Sequence, residues 1–430
     1  MKTIKLGMVG IGPRGRMLLE MVPSFEGVEV VAGCDIRPHN WYDKQWRASM
    51  AMADMFPNAH FYEDYDRMLE QEELDAVIVE TGADIHAEFC IKALDKNVNV
   101  LSDIPLVANL KEAEDIWQAS LRSKAFLSVG ANPNESRFSV LLKEFYDKGL
   151  LGKPYCMEAE YIHWFAPGSQ DQKGWTENGN WRKLLIPIRY CTHSLGPLMR
   201  IVPEELRYCS CFGTGKHSPE STKDDMMCAQ FRTESGVVVR LMRNGRCRAK
   251  IGHHTYRVFG TEGYMERMER FGKPVIRYNS MNELDTELHE IDGRWMPPAY
   301  EKNPKATGHD GMDYAMLDHF FEAVRNGGEA PISVKEGLIM TLPGIYAEES
   351  AKRGGEVLRM RYPWDEDWKI EWYKAAERKI AVSAAPRSLH KNKTEPLKKE
   401  GLRFFVYCIS VRAIPRPFSI NPRAEGKRCL

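Results

Sequence analysis

A chain of 430 residues exceeds the usual size of a single hydrophobic core, so two domains are expected, each able to bury a core of its own. Sixty basic residues balance 60 acidic ones, which excludes the basic footprint of a nucleic-acid binder and any pull toward an anionic membrane, and no apolar run approaches bilayer-spanning length. The ten cysteines show no paired zinc spacing, Cys209-Ser210-Cys211 being insufficient; with a strand opening at residue 4 in place of a signal peptide, the expectation is a cytoplasmic, metal-free protein with reduced thiols.

Residues 5–9 read as a buried strand that runs straight into Gly10-Ile11-Gly12-Pro13-Arg14-Gly15. In such a loop Gly10 permits a tight strand-to-helix turn and Gly12 lets the backbone approach a pyrophosphate. Gly15 lets the following helix pack close, and the phosphates would rest on the N–H groups and partial positive charge at that helix's start. A second strand, Val28–Cys34, ends at Asp35, twenty residues past Gly15. A carboxylate there would accept hydrogen bonds from adenosine ribose hydroxyls and repel a 2′-phosphate, so NAD is the expected cofactor. Arg37 is the neighbouring group able to pair with such a phosphate.

After Asp35, helices are expected over 41–55, Tyr65–Gln71, 83–95 and Leu110–Arg122, alternating with strands over 75–79, 98–101 and 125–129. Such βαβ repetition predicts a doubly wound parallel sheet covered by helices on both faces, with the cofactor at the strand C-termini. From about residue 153 aromatic and β-branched segments take over (155–164, 226–231, 237–241, 255–259), which predicts a large, mostly antiparallel open sheet. Helices are expected over 312–324 and 338–352. The last 48 residues carry eleven Lys or Arg against three Asp or Glu, with five prolines, and read as a flexible basic tail. The expected organisation is therefore an NAD-binding Rossmann domain over 1–130, a substrate-binding α/β domain with an open sheet over 131–382, and the tail over 383–430.

With these elements placed, residues 3–380 resemble the Gfo/Idh/MocA oxidoreductases, the group of glucose-fructose oxidoreductase and inositol dehydrogenase. The likeness is carried by the glycine loop, Asp35, Ile85-His86 and Asp103-Ile104-Pro105. It implies that His86 and Asp103 lie at the cofactor, Asp103 near the nicotinamide ribose. Most dehydrogenases of the group carry Glu-Lys-Pro where this chain has Asp103-Ile104-Pro105, and isoleucine cannot replace a lysine that moves a proton. They also carry an aspartate four residues before the histidine, where this chain has Arg189 before His193.

Those departures resemble the family's NAD-dependent glycosidase branch, typified by α-N-acetylgalactosaminidases. The similar segments are Tyr161-Ile162-His163, Tyr190-Cys191-Thr192-His193-Ser194-Leu195-Gly196-Pro197, Trp181-Arg182 and Gly308-His309-Asp310-Gly311-Met312-Asp313. The resemblance implies that Tyr161, His163, Tyr190 and His193 line the site, with Trp181, Arg182 and Arg189 on the substrate side. A further branch tyrosine, before the Gly260-Thr261 turn, has Gly252, His253, His254 and Tyr256 as its candidates, of which Tyr256 is taken for substrate binding. A homo-oligomer through the open sheet face is implied by the same likeness.

From the residues themselves, strand alternation puts Tyr161 and His163 on one face, and a spacing of three puts Tyr190 and His193 on one side of a helical turn. Two such pairs, after a dinucleotide fold, can exchange protons with a small carbohydrate or glycoside. The reaction expected is redox-neutral glycoside cleavage: oxidation at sugar carbon 3, removal of the carbon 2 proton, elimination from carbon 1, hydration and re-reduction, a route that demands no pair of carboxylates. His193 would handle the carbon 3 hydroxyl, Tyr190 or Tyr161 the carbon 2 proton, and His163 the leaving group, with Arg182 or Arg189 easing tyrosine ionisation. The alternatives are a net sugar or cyclitol dehydrogenase and a non-catalytic NAD-binding sensor.

Overall fold

The computed structural model describes residues 3–45, 48–163, 185–217, 223–245, 247, 253–282, 287–294 and 308–369. Trp181, Arg182 and the 383–430 tail lie outside the described residues.

Short aliphatic runs buried on both faces build the first sheet. In chain order it comprises β1 (Ile4–Val9), α1 (Pro13–Leu19), β2 (Val28–Cys34), α2 (His39–Tyr42), α3 (Met52–Met55), β3 (His60–Tyr62), α4 (Tyr65–Gln71), β4 (Ala76–Val79), α5 (His86–Asp95), β5 (Asn99–Ser102), α6 (Leu110–Arg122) and β6 (Leu127–Val129). The strands pair in the order β3-β2-β1-β4-β5-β6, all parallel, so the order reverses beside β1. That switch point opens a crevice at the strand C-termini.

Two expectations change here. The helix expected over 41–55 is two single turns, because Asp43 and Ala51 adopt extended backbone. The break lets Trp41 stack on Phe56 at 6.4 Å, residues that one straight helix would separate by about 22 Å. The short edge strand β3 carries no alternation in its three residues and escapes a search for patterned strands.

After α7 (Arg137–Asp147) comes the second sheet: β7 (Pro154–Tyr161), α8 (Thr192–Met199), β8 (Leu206–Gly213), β9 (Met226–Thr233), β10 (Val238–Asn244), β11 (His254–Gly260), β12 (Gly263–Arg270), β13 (Lys273–Ser280), β14 (His289–Asp292), α9 (Met312–Asn326), α10 (Val334–Lys352) and β15 (Leu358–Arg359). Its nine strands run β14-β13-β12-β11-β7-β10-β9-β8-β15, and β7 with β10 is the one parallel pair among them. Strict alternation in β9 buries Met227, Ala229 and Phe231 while Cys228, Gln230 and Arg232 face outward, as a sheet covered on one side requires. A capping box between Ser333 and Glu336 starts α10 earlier than the apolar pattern alone suggests.

Although late in the chain, α9 returns to the first sheet. Tyr314, Leu317, Phe320 and Phe321 join the core of Leu6, Met8, Ile78 and Leu101, and Tyr314 stacks on Phe25 at 4.3 Å. The start of α9 is thereby brought beside the glycine loop. No helix among the described residues is long and apolar enough to cross a membrane.

Candidate active site

The crevice is shaped by main chain. Gly10 sits at φ +87°, and a Cβ there would lie 2.5 Å from the Glu80 carbonyl carbon; a Cβ on Gly15 would strike the Gly10 carbonyl oxygen. A Cβ on Gly12 meets nothing within 4 Å, so the loop presents open backbone at the start of α1, with Pro13 in its first turn. These three environments fit a pyrophosphate held on backbone N–H groups. Asp35 stands at the end of β2, accepting from the backbone N–H of Ile11 at 2.7 Å and of Arg37 at 2.8 Å. A carboxylate has further lone pairs, which suits it to ribose hydroxyls as well. The Arg37 side chain is exposed.

Other residues expected at the cofactor are placed less simply. The Arg14 guanidinium forks onto Asp313 at 2.6 and 2.8 Å, so its charge is committed to the start of α9. His86 opens α5 as expected but is fully buried, its Nδ1 3.3 Å from Thr81 Oγ1. Asp103 follows β5 and meets Glu80, a residue the motifs did not single out. Burial pushes the Glu80 carboxyl well above its usual range and Asp103 adds to this, while Arg14 opposes it. The side chain of Ile104, next to Asp103, is fully buried.

At the ends of β7, β10 and β11 is a largely buried cluster of phenols and imidazoles. Tyr190 Oη lies 3.3 Å from His193 Nε2. The Tyr161 ring stands 6.0 Å from Tyr190, 5.9 Å from His193 and 5.7 Å from His163. All four residues expected to carry the chemistry are therefore gathered in one place. The routes differ from the expectation: β7 stops at Tyr161, with the His163 N–H bonded to Asn244 Oδ1, and Tyr190 precedes α8 rather than lying on it.

Three further residues complete the cluster. His254 stacks on Tyr161 at 4.2 Å, His253 stacks on His163 at 4.7 Å, and Arg243 at the end of β10 lies over both tyrosines, 4.0 Å from the Tyr161 ring and 5.2 Å from that of Tyr190. The Arg243 guanidinium also donates to the carbonyls of Tyr161, Tyr190 and Asn244. Burial, with His193 and Arg267 adding to it, holds the His254 imidazole well below its ordinary range, and burial lowers His253 too. In the sequence His253 and His254 stood only among the candidates before the Gly260-Thr261 turn; β11, antiparallel to β7, sets His254 opposite Tyr161. Nothing local in the sequence marks Arg243.

Two expected substrate residues take other positions. The Tyr256 ring is buried and stacks on Phe138 at 5.0 Å, and its hydroxyl donates to the His193 carbonyl at 2.7 Å, so it supports His193 from behind. Arg189 pairs with Glu348 at 2.8 Å and donates to the Ala108 carbonyl; the guanidinium over the tyrosines is that of Arg243. No group of three or more His, Cys, Asp or Glu among the described residues is arranged to hold a metal ion.

Comparison with known proteins agrees with this architecture. The family model of the NAD-binding Rossmann fold of the Gfo/Idh/MocA oxidoreductases matches residues 4–131, and that of the family's C-terminal alpha/beta domain matches residues 143–358. The chain is 24% identical over 404 residues to glycosyl hydrolase family 109 protein 2 of Akkermansia muciniphila, covering 85% of this chain and 84% of that one. It is 23% identical over 386 residues to an alpha-N-acetylgalactosaminidase of Shewanella oneidensis, covering 81% and 83%. Among solved structures it is similar to a levoglucosan dehydrogenase in complex with NADH and L-sorbose, with a TM-score of 0.69, 16% identity and coverage of 84% and 100%. With both family models spanning the two sheets and the glycine loop shaped for its dinucleotide, the chain belongs to the Gfo/Idh/MocA oxidoreductase family and takes NAD as its cofactor.

Proposed function

We propose that the protein is a glycosidase that cleaves its substrate without net oxidation: oxidation at sugar carbon 3, loss of the carbon 2 proton, departure of the aglycone from carbon 1, addition of water and reduction back to the alcohol. The observation that carries this is the composition of the cluster around Tyr161. Phenols and imidazoles converge there, while Ile104, where related dehydrogenases place a proton-transferring lysine, is fully buried and inert. Elimination needs a base strong enough for a carbon acid and a donor for the leaving oxygen, which phenol and imidazole pairs supply without an acidic pair.

Bound NAD supplies the acceptor and donor of hydride; the rest falls to the chain's own side chains. His193, steadied by the Tyr256 hydroxyl on its carbonyl, takes the hydroxyl proton at carbon 3, and the Tyr190 contact offers that proton a second site. Tyr161 removes the carbon 2 proton, with the Arg243 guanidinium 4.0 Å over its ring. His163, held flat against His253, protonates the departing oxygen. In this scheme residues 1–130 hold the cofactor and 131–382 the sugar, with Trp181 and Arg182 as further sugar contacts. The names of the curated relatives point to an α-N-acetylgalactosaminide as the first substrate to try.

The test is mass spectrometry of the purified protein for retained NAD, then a chromogenic glycoside panel in heavy water without added cofactor. Cleavage with deuterium at carbon 2 of the product is the expected result. Hydrolysis without exchange rejects the route; stoichiometric NADH release from a free sugar makes the protein a dehydrogenase, and NAD retained without turnover makes it a sensor.

A further inference from the structure

One buried carboxylate beside the glycine loop has no part in that scheme. Asp313, at the first turn of α9, is fully buried and accepts from Arg14 on both oxygens, from Asn132 Nδ2 at 2.8 Å and from His309 Nδ1 at 2.7 Å. Burial would raise its carboxyl, but Arg14 and His309 outweigh that and hold it far below the usual carboxylate range. An ionised acceptor requires the proton of His309 to sit on Nδ1, which turns Nε2 outward as the exchangeable position.

His309 is placed for use rather than for packing. Its side chain is 52% exposed while its partner is sealed. The ring is delivered by a turn in which His309 (φ 46°) and Asp310 (φ 59°) are both left-handed, a conformation non-glycine residues rarely adopt twice in succession and one that often marks functional positions. Arg14, the other charged contact of Asp313, lies within the glycine loop, in the first turn of α1. His309 is therefore tied through Asp313 and Arg14 to the cofactor loop. The His253 imidazole is lowered by burial and, among nearby charges, by His309.

We infer that His309, oriented by Asp313, is a further acid–base residue of the site, exchanging a proton between Nε2 and a substrate oxygen while Asp313 stays ionised. The imidazole passes between its neutral and cationic forms, and the proton goes to or comes from that oxygen. Arg14 ties the pair to the glycine loop, so a seated dinucleotide and an oriented His309 go together. The inference rests on the proposed function only for the identity of the substrate; the Asp–His geometry stands apart from it.

The experiment uses the full chain with its retained NAD. Nitrogen-15 histidine spectra of the wild type and His309→Gln should show one Nδ1–H tautomer that vanishes in the variant. Glutamine can still donate to Asp313 but cannot titrate, so turnover should fall about 100-fold with NAD content unchanged and one limb of the pH–rate profile lost. His309→Ala should recover turnover on addition of imidazole. An Nε2–H tautomer, or wild-type turnover and pH profile in His309→Gln, overturns the inference. Should the protein oxidise a free sugar instead of cleaving glycosides, the proposed function fails while the same variants are read on sugar oxidation. Should it turn over neither, the inference falls with it whatever the tautomer.

Discussion

The crevice beside β1 and the cluster at the end of β7 are built from different material. The crevice is main chain: glycines at a turn, N–H groups at a helix start, and one carboxylate pinned by two backbone donors. The cluster is side chain, assembled from Tyr161, Tyr190, Arg243 and His254, each on a different segment of the chain. A site made of backbone is damaged by adding atoms, whereas a site made of side chains is damaged by removing them.

The largest effect expected is at Gly12, where that difference breaks cleanly. Gly12→Val adds a side chain into space that is open in the protein and that a pyrophosphate would need. The variant should unfold at the temperature of NAD-free wild type, yet carry no NAD by mass spectrometry and show no turnover. Gly10→Val should also lose NAD, but with a lower unfolding temperature, because its Cβ meets the Glu80 backbone at a positive φ. Full NAD content in Gly12→Val would move the cofactor elsewhere.

Removal of atoms from the other half comes next. Tyr190→Phe and His193→Asn should each lower turnover by about 10²–10⁴-fold while NAD content stays at the wild-type level. Because the two side chains share a contact, the double variant should be little worse than the poorer single one. Losses that multiply would mean that the two act separately.

The same contrast explains what could be read from the sequence. A backbone site has a local signature, since turn geometry demands glycine at fixed offsets, and the loop, Asp35 and the parallel sheet were all legible. From the residues alone Tyr161, His163, Tyr190 and His193 were legible as two short-range pairs, and only the family resemblance put them in one site. That they converge depends on β7 lying between β10 and β11, a pairing no local pattern encodes. Arg243 stayed hidden for the same reason: it reaches the tyrosines because β10 runs parallel to β7, with Arg243 opposite Tyr161. Tyr256 misled because a tyrosine on the correct strand can point inward, where it stacks on Phe138. The single helix expected over 41–55 failed because burying Trp41, Met52 and Phe56 together outweighs helical continuity.

A smaller effect separates charge from shape within the cluster. Arg243→Met keeps bulk over the two rings but removes the guanidinium, whose attraction to an aromatic face is about 0.5–2 kcal/mol. Turnover should fall by roughly tenfold, that attraction being withdrawn from the Tyr161 ring. Arg243→Lys should recover part of the loss. Equal turnover in all three proteins would leave Arg243 as a strut for the carbonyls it binds.

The smallest effect expected is on stability, and it follows from neutral imidazole in the side-chain half. The Tyr256 hydroxyl spends its proton on the His193 carbonyl, so at 3.2 Å it must accept from His254 Nδ1, which fixes that tautomer. The folded protein holds His254 well below the ordinary imidazole value of about 6.5, whereas the unfolded chain protonates it normally. Above that value both states are neutral and the residue is silent. As the pH falls through it, the unfolded chain takes up a proton that the folded protein refuses, so stability declines, by at most about 1.4 kcal/mol per pH unit. Glu80 works in the opposite sense, since its raised carboxyl binds a proton in the folded state first and favours folding as the pH drops. The wild type alone therefore mixes the two, and the clean quantity is the difference from His254→Gln, which can donate to Tyr256 but not titrate. Urea unfolding at about pH 7.5 and about pH 5.5 should show the wild type losing more stability than the variant between the two. Equal losses would mean that His254 is protonated in the folded cluster, and the stack on Tyr161 would then carry a charge.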